Sequence, residues 1–129
     1  MDLFTKLRSM QMLLIDDDEW VRDSLQLFFE SEGCKIVALE NAEQGLNFIA
    51  KHEFDIIIVD YRLSGMDGLE FINRLPANQA GTLKVLISAY GNKDLLLRAK
   101  KAGVHQFIRK PFTKEDIEDS LKRLITGQN

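Results

Sequence analysis

The sequence predicts a single α/β domain in which a five-stranded parallel sheet lies between two layers of helices. Short apolar runs alternate with longer segments of helical period, the pattern of parallel strands joined by crossover helices. The most apolar runs have no polar alternation, as is typical of strands covered on both faces. The chain has 129 residues, of which 45% are hydrophobic, so it can build one core and has no room for a second domain of similar size.

Five strands are predicted, at residues 12–15, 35–39, 56–61, 83–88 and 106–109. The first, third and fourth are the most continuously apolar and should form the centre of the sheet, which fits the strand order 2-1-3-4-5. Apolar residues recur at helical spacing in each segment between or after the strands. These residues are Val21, Leu25, Phe28 and Phe29; Ala42, Leu46 and Ile49; Leu69, Ile72 and Leu75; Leu95, Ala99 and Ala102; and Ile117, Leu121 and Leu124.

Residues 1–11 precede the first predicted strand and show no strand pattern, so we interpret them as a loose leader before a domain at residues 12–127. An alternative is one amphipathic turn, formed by Leu3, Phe4 and Leu7, that docks on the domain. Asp2, Lys6 and Arg8 interrupt the apolar segment that a secretory leader needs. With no long apolar stretch and a single cysteine, Cys34, the chain is expected to be cytoplasmic.

The charge balance argues against nucleic-acid binding. The formal net charge is −3 and the pI is about 5.4, whereas a nucleic-acid surface needs clustered Lys and Arg. Glycines 65, 68 and 91 are too scattered for a nucleotide-binding loop and are attributed to turn geometry. His52 and His105 do not follow strands, so each is expected to face solvent or to have a structural role.

Four consecutive acidic residues, Asp16 to Glu19, follow the first strand. In open α/β sheets the ligand crevice lies at the carboxyl ends of the strands, which is where this cluster falls. The alternative is a solvated acidic turn in which Asp18 or Glu19 only caps the next helix. The cluster alone does not decide between the two.

Asp60 ends the third predicted strand, which neighbours the first, so it should lie beside Asp16 and Asp17. Carboxylates this close need a cation between them, and an all-oxygen ligand set suits Mg²⁺. The fourth strand ends at Ser88, and Lys110 follows the fifth. A carboxylate nucleophile, a metal, a hydroxyl group and a lysine are the parts that phosphoryl transfer needs.

Four segments resemble the receiver domain of response regulators, the chemotaxis-regulator-like switches of two-component systems. They are residues 13–18 (LLIDDD), 59–68 (VDYRLSGMDG), 87–91 (ISAYG) and 110–112 (KPF). The order and spacing match from Met12 to Thr126. Ser64 stands where the family commonly has proline, which affects no catalytic residue. The resemblance implies a flavodoxin-like fold of three layers.

The resemblance also implies roles for the site residues. Asp60 would be the phosphoacceptor, and Asp16, Asp17 and Asp60 would hold Mg²⁺ together with the backbone carbonyl of Arg62. Ser88 and Lys110 would bind phosphoryl oxygens, and the Lys110–Pro111 bond would be cis. Phe107 corresponds to the aromatic switch residue that moves with Ser88, although a plain core phenylalanine is an equal alternative.

The implied function is a phosphorylation-activated switch, a signalling domain that catalyses its own phosphoryl transfer and is not an enzyme with a released product. Its partners would be a sensor histidine kinase or phosphotransfer protein and a downstream target or output domain. A homodimer would form through the fourth helix, fifth strand and fifth helix, where helical phase places Leu97 outward.

Two other functions stay open from the residues alone. The first is a small Mg²⁺-dependent phosphatase of the haloacid dehalogenase type, with Asp16 and Asp18 as its acidic pair, which leaves Asp60 unexplained. The second is a receiver-like scaffold that works without phosphorylation. A flavodoxin would share the fold, but the acidic first loop would repel a flavin phosphate.

Overall fold

The computed structural model of the protein describes residues 2–127. Strands and helices alternate along the chain, and a 3₁₀ turn at Ala77–Gln79 precedes the fourth strand. The strands are β1 (Gln11–Ile15), β2 (Lys35–Leu39), β3 (Ile56–Asp60), β4 (Leu83–Ser88) and β5 (Gln106–Arg109). The helices are α1 (Leu3–Leu7), α2 (Glu19–Ser31), α3 (Ala42–Ile49), α4 (Gly68–Asn73), α5 (Lys93–Lys101) and α6 (Lys114–Thr126). None of these helices is long and apolar enough to cross a bilayer.

All five strands are parallel and lie in the order β2-β1-β3-β4-β5, which confirms the predicted topology. The predicted strands are correct to within one residue at each end. Because β1, β3 and β4 are the inner strands, nearly all of their residues are buried. This double coverage is the reason for their uninterrupted apolar sequences.

The sheet separates two apolar cores. Alternate residues of the inner strands, such as Met12 and Ile56, pack with α2 and α6 on one face. Their neighbours, such as Leu13 and Ile57, pack with α3, α4 and α5 on the other face. Because side chains alternate along each strand, every second residue packs in the same layer. The polar residues at the carboxyl ends of the strands lie outside these two cores and can form a site.

The helices that follow the strands are anchored at their first turns by side-chain caps. The capping residues are Asp18, Asn41, Asp67, Asn92 and Thr113, and each accepts a hydrogen bond from a backbone N–H of the first turn. Such caps stabilise a helix by about 1 kcal/mol each. They also fix the course of the loops at the carboxyl edge of the sheet.

The first ten residues differ from the loose leader that we predicted. Residues Leu3–Leu7 form α1, in which Leu3 and Leu7 are buried in the core between α2 and α6. Asp2 caps this helix by accepting a hydrogen bond from the backbone N–H of Phe4 at 3.1 Å. Burying two leucines, each worth about 1.5–3 kcal/mol, outweighs the entropy cost that favours a frayed terminus. The loose-leader interpretation is therefore wrong for residues 2–10, whereas the alternative, an amphipathic turn of Leu3, Phe4 and Leu7 that docks on the domain, agrees with α1. Met1 lies outside the described residues.

Shortening the buried side chain of Leu7 on α1 should destabilise the whole domain. Leu7 is 0% exposed, so Leu7→Ala should lower the free energy of unfolding by about 2–4 kcal/mol. Thr5 on the same helix is exposed, and Thr5→Ala serves as the matched control. Urea unfolding followed by circular dichroism measures both. Equal stability of the two variants would show that α1 is not part of the folded domain.

Candidate functional site

The carboxyl edge of the sheet collects side chains from four of the five strands. Asp16 directly follows β1, Asp60 ends β3, Ser88 ends β4 and Lys110 directly follows β5. Asp16 is fully buried and Asp60 is 4% exposed. Carboxylate oxygens of Asp16, Asp17 and Asp60 lie within 4.8 Å of one another. The structure thus brings together the acidic residues that the sequence analysis selected.

Lys110 lies between the two buried carboxylates. Its Nζ donates a hydrogen bond to Asp60 Oδ2 at 3.0 Å and lies 3.2 Å from Asp16 Oδ2. Burial acts to lower the pKa of Lys110, but the hydrogen bond to Asp60 and the charge of Asp16 raise it overall. The lysine therefore stays charged and offsets part of the repulsion between the aspartates. The bond between Lys110 and Pro111 is cis, as predicted.

Asp60 is the most perturbed acid of the cluster. Burial, followed by repulsion from Asp16, raises its pKa to about 6, although Lys110 acts in the opposite direction. An ordinary aspartate has a pKa near 3.9. The positive charge of Lys110 is thus not enough to hold the pKa of Asp60 at its usual value. A further cation in the site would lower this pKa.

The oxygen atoms of the cluster fit a divalent cation. Asp16 Oδ1 accepts a hydrogen bond from the backbone N–H of Asp18 at 2.9 Å. Asp16 Oδ2 is buried, and despite its proximity to Lys110 it accepts no well-oriented hydrogen bond from residues 2–127. Buried acceptors rarely stay unsatisfied. Carboxylate oxygens are hard ligands, and three of them suit an ion such as Mg²⁺.

Ser88 is held with its hydroxyl in a defined orientation. Its Oγ accepts a hydrogen bond from the backbone N–H of Tyr90 at 2.9 Å, and the residue is buried. Since a hydroxyl both accepts and donates, its proton remains free for a ligand at the carboxyl edge. Phe107 pairs with Leu86 in the sheet and is partly buried against the core beneath α5.

The acidic turn also serves the helix that follows it. Asp18 accepts hydrogen bonds from the backbone N–H groups of Trp20 and Val21, so it is the cap of α2. Arg22, which the sequence analysis did not select, donates to the backbone carbonyl of Asp16 at 2.9 Å. The four acidic residues thus divide their roles, because Asp16 and Asp17 face the cluster while Asp18 caps the helix.

Gly68 lies against β3 for a reason that the sequence did not reveal. Its N–H donates to the Tyr61 carbonyl at 2.9 Å, and a Cβ at this position would lie 2.4 Å from the carbonyl oxygen of Asp60. Gly68 does not have a positive φ. The attribution to turn geometry is therefore wrong, and the glycine is required by the close approach of α4 to β3.

Two arginine–tyrosine pairs surround the mouth of the site. Arg62 donates to the Tyr90 hydroxyl at 3.1 Å and stacks on its ring. Arg98 of α5 donates to the hydroxyl of Tyr61 at 3.0 Å. The partners are 28 and 37 residues apart in sequence, so only the folded topology reveals them.

The histidines lie outside the acidic cluster, as expected. His52 is exposed beside the ring of Phe48. His105 accepts a hydrogen bond from the backbone N–H of Lys84 through Nδ1 at 3.0 Å. Burial and the nearby Lys84 lower the pKa of His105. The neutral imidazole thus has a structural role at the start of β5.

An apolar groove of about 1030 Å³ lies between α2 and α6 and reaches Lys110, which pairs with Asp16 and Asp60. Trp20 and Leu27 form its outer ridge and are 81% and 71% exposed. The lining residues are Trp20, Val21, Ser24, Leu25, Leu27, Phe28 and Ser31 on α2, and Ala89, residues 110–114 and Ile117 on the other side. Lys110 therefore borders both the groove and the acidic cluster.

Comparisons with known proteins agree with this geometry. Residues 12–122 match the family model of the response regulator receiver domain. The chain is 28% identical over 115 residues to sporulation initiation phosphotransferase F of Bacillus subtilis, covering 89% of the chain and 93% of that protein. It is 31% identical over 115 residues to the C4-dicarboxylate transport transcriptional regulatory protein DctD of Pseudomonas aeruginosa, covering 89% of the chain but only 25% of that regulator. The chemotaxis response regulator CheY4 of Vibrio cholerae has the same fold, with a TM-score of 0.83 at 22% identity, 89% of this chain covered and 98% of that one.

The raised pKa of Asp60 predicts a pH-dependent stability in metal-free buffer. A carboxyl whose pKa is higher in the folded state stabilises the fold below about pH 4, and this contribution is lost as the pH rises through about 6. At pH 7.5 Asp60→Asn should therefore be more stable than the parent by roughly 1–3 kcal/mol, and the difference should vanish near pH 4. Urea unfolding with a chelator at both pH values measures it. A difference that is independent of pH would contradict the prediction.

Proposed function

Because the chain belongs to the response regulator receiver domain family, whose members are phosphorylation-activated switches, we propose that Asp60 accepts a phosphoryl group from a phosphohistidine donor. The observation that carries this proposal is the convergence of Asp16, Asp17, Asp60 and Lys110 at one edge of the sheet. A carboxylate oxygen of Asp60 would attack phosphorus, and the bond from phosphorus to the donor imidazole would break. The product is an acyl phosphate on Asp60 and a free histidine on the donor.

Lys110 and Ser88 receive the phosphoryl oxygens in this proposal. The Lys110 ammonium already lies 3.0 Å from Asp60, so a short movement brings it to a phosphoryl oxygen on that side chain. The Ser88 hydroxyl is oriented by the Tyr90 N–H and has a proton to donate. Both groups would neutralise negative charge that phosphoryl transfer spreads over oxygen.

The metal of this site would be Mg²⁺, held by Asp16, Asp17, Asp60 and the backbone carbonyl of Arg62. Bound there, it would offset the charge of the carboxylates and of the incoming phosphoryl oxygens. The buried Asp16 Oδ2 supports this assignment, because its one salt-bridge partner among residues 2–127 is Lys110 at 3.2 Å and it accepts no well-oriented hydrogen bond there. Through its ion pair with Lys110, Asp16 would also hold the lysine ammonium close to Asp60.

The donor would be a sensor histidine kinase or a phosphotransfer protein, and we propose that it docks in the groove between α2 and α6. Receiver domains interact with histidine kinases and output domains, and this groove leads directly to Lys110 and the acceptor. An amphipathic helix of the donor would cover the exposed Trp20 and Leu27. The proposal includes a cytoplasmic location, which suits a domain whose one cysteine, Cys34, is buried and forms no disulfide.

Phosphorylation would be transmitted through Ser88 and Phe107 to the face formed by α5, β5 and α6. Phe107 pairs in the sheet with Leu86, two residues before Ser88, so movement of Ser88 toward a phosphoryl group affects its surroundings. The downstream target, an output domain or a second copy of the chain would bind this face. Leu97 is 60% exposed there, while Leu95 and Ala99 of the same helix are buried.

The domain would catalyse its own phosphorylation, but its role would be to change state and not to supply a released product. We therefore class it as a signalling domain. The phosphatase alternative would use Asp18 as part of its acidic pair, but Asp18 is occupied as the cap of α2. The scaffold alternative leaves the convergence of the acidic cluster and Lys110 without a purpose.

Acetyl phosphate with Mg²⁺ should label the parent chain on Asp60 alone. Asp60→Asn removes the nucleophile and should reduce labelling at least about 100-fold, the scale on which loss of an activated nucleophile is felt. Asp23→Asn, on an exposed position of α2, is the matched control and should label as the parent does. Peptide mapping that locates the phosphoryl group on Asp17 or a histidine would overturn the assignment.

Mg²⁺ binding should depend on Asp17 and not on Asp18. Asp17→Asn removes a proposed ligand and should weaken Mg²⁺ binding by about tenfold or more. Asp18→Asn keeps a good helix cap and should leave the affinity within about twofold of the parent. Trp20, the single tryptophan, reports binding through its fluorescence. Equal affinities in the two variants would exclude Asp17 as a ligand.

Leu97→Gln should weaken phosphorylation-dependent association and leave folding and labelling unchanged. The side chain is exposed on α5, so its loss removes a hydrophobic anchor without opening a cavity. A reduction in affinity of about fivefold is expected, measured by sedimentation of the acetyl phosphate-treated protein. Asn78→Gln, exposed on the 3₁₀ turn, is the control. Unchanged self-association, together with unchanged binding to a known target, would place the output face elsewhere.

A further inference from the structure

Helix α1 lies at the end of the α2–α6 groove that is distant from Asp60. The ring of Phe4 packs edge to face on Phe28, with centroids 5.9 Å apart. Phe28 itself lines the groove, and Lys114 lies over its ring at 5.9 Å. The apolar lining therefore continues from the groove directly into α1.

Helix α1 packs against both helices that form the groove, α2 and α6. Leu3 and Leu7 are buried among apolar residues of α2 and α6, including Phe29 and Leu124. Arg8 adds a polar anchor, because its Nε donates to the Glu32 carbonyl, just beyond α2, at 2.7 Å. A short helix fixed in this way closes the space between the ends of α2 and α6.

The closed end limits what the groove can hold. Its lining on α2 runs from Trp20 to Ser31, a distance of about 16 Å at the 1.5 Å rise per residue of an α-helix. A partner helix of about three turns fits this length. A longer helix running in the same direction meets α1.

We propose that α1 is a specificity-determining part of the donor-binding surface, which admits donors whose contact helix ends within the Trp20–Ser31 length of the groove and rejects those that extend beyond it into α1. The inference rests on the proposed docking of the phosphodonor in the groove. Phe4 is the critical residue, because it is the part of α1 that touches the groove lining. Rejection by steric conflict is a common way to discriminate among related partners.

The test uses a panel of purified histidine phosphotransfer domains, phosphorylated on histidine, as donors. Transfer rates are measured for the parent, Phe4→Ala, Thr5→Ser and Leu27→Ser, with acetyl phosphate as a donor that needs no groove. Phe4→Ala keeps the buried Leu3 and Leu7, and Thr5→Ser is its control on the exposed side of α1. Leu27→Ser tests docking itself.

Phe4→Ala should reduce the ratio of the fastest to the slowest phosphoryl-transfer rate in the panel by about fivefold. The reason is that the transfer rates of donors that α1 rejects should rise most. Thr5→Ser should keep the parent ratio, and acetyl phosphate should label all variants equally. An unchanged ratio in Phe4→Ala, while Leu27→Ser slows every donor, overturns the inference and leaves the proposed docking intact. If Leu27→Ser slows no donor, the docking proposal fails and this inference fails with it.

A second measurement needs no α1 variant. At high concentration, the unphosphorylated panel member with the slowest transfer should, on binding the parent chain, shift the amide resonances of residues 4–8 as well as those of Trp20 to Phe28. Shifts on α2 without any on α1 for this slow donor would overturn the inference.

Discussion

The repulsion between two buried carboxylates governs this structure. The order of the sheet makes β1 and β3 neighbours, so Asp16 and Asp60 meet at their ends, away from water. Burial of Asp60 raises its pKa most, and repulsion from Asp16 raises it further. From the neighbouring side of the cleft, Lys110 offsets part of that repulsion. Protonation of Asp60 relieves this repulsion directly, and a bound cation would relieve it by adding positive charge between the carboxylates.

Lys110 neutralises part of the negative charge of the site, and it would also compete with a metal ion for the same carboxylate oxygens. The ammonium of Lys110 contacts the Asp16 and Asp60 oxygens that the proposed metal would use. A cation bound to these oxygens would displace Lys110, and a phosphoryl group on Asp60 would give the lysine a new partner.

Much of the fold and the acidic cluster could be predicted from the sequence. The apolar runs mark the inner strands because burial on both faces excludes polar residues, and the ends of those runs locate Asp16, Asp60 and Ser88. The capping box of Thr113 and Asp116 locates the start of α6 for the same local reason. These features depend on neighbours in the chain, which a linear pattern records.

The features that could not be predicted depend on contacts distant in sequence. The apolar pattern of Leu3, Phe4 and Leu7 predicts a docked turn only as an alternative, because the stability of α1 comes from Leu3 and Leu7 entering a core built by α2 and α6. The Arg62–Tyr90 and Arg98–Tyr61 pairs join separate loops and helices. For Gly68 the residue type was visible, but its reason, the nearby Asp60 carbonyl, was not.

The contact between Gly68 and Asp60 has a consequence for how the domain tolerates change over evolution. Any larger residue at position 68 meets main-chain atoms of β3, which cannot turn aside as a side chain can. At Gly45, by contrast, the nearest atoms that an added methyl group would meet belong to the side chains of Ile15 and Phe71, which can repack. Position 45 can therefore change together with compensating changes in the core, whereas position 68 stays glycine for as long as β3 keeps its place against α4.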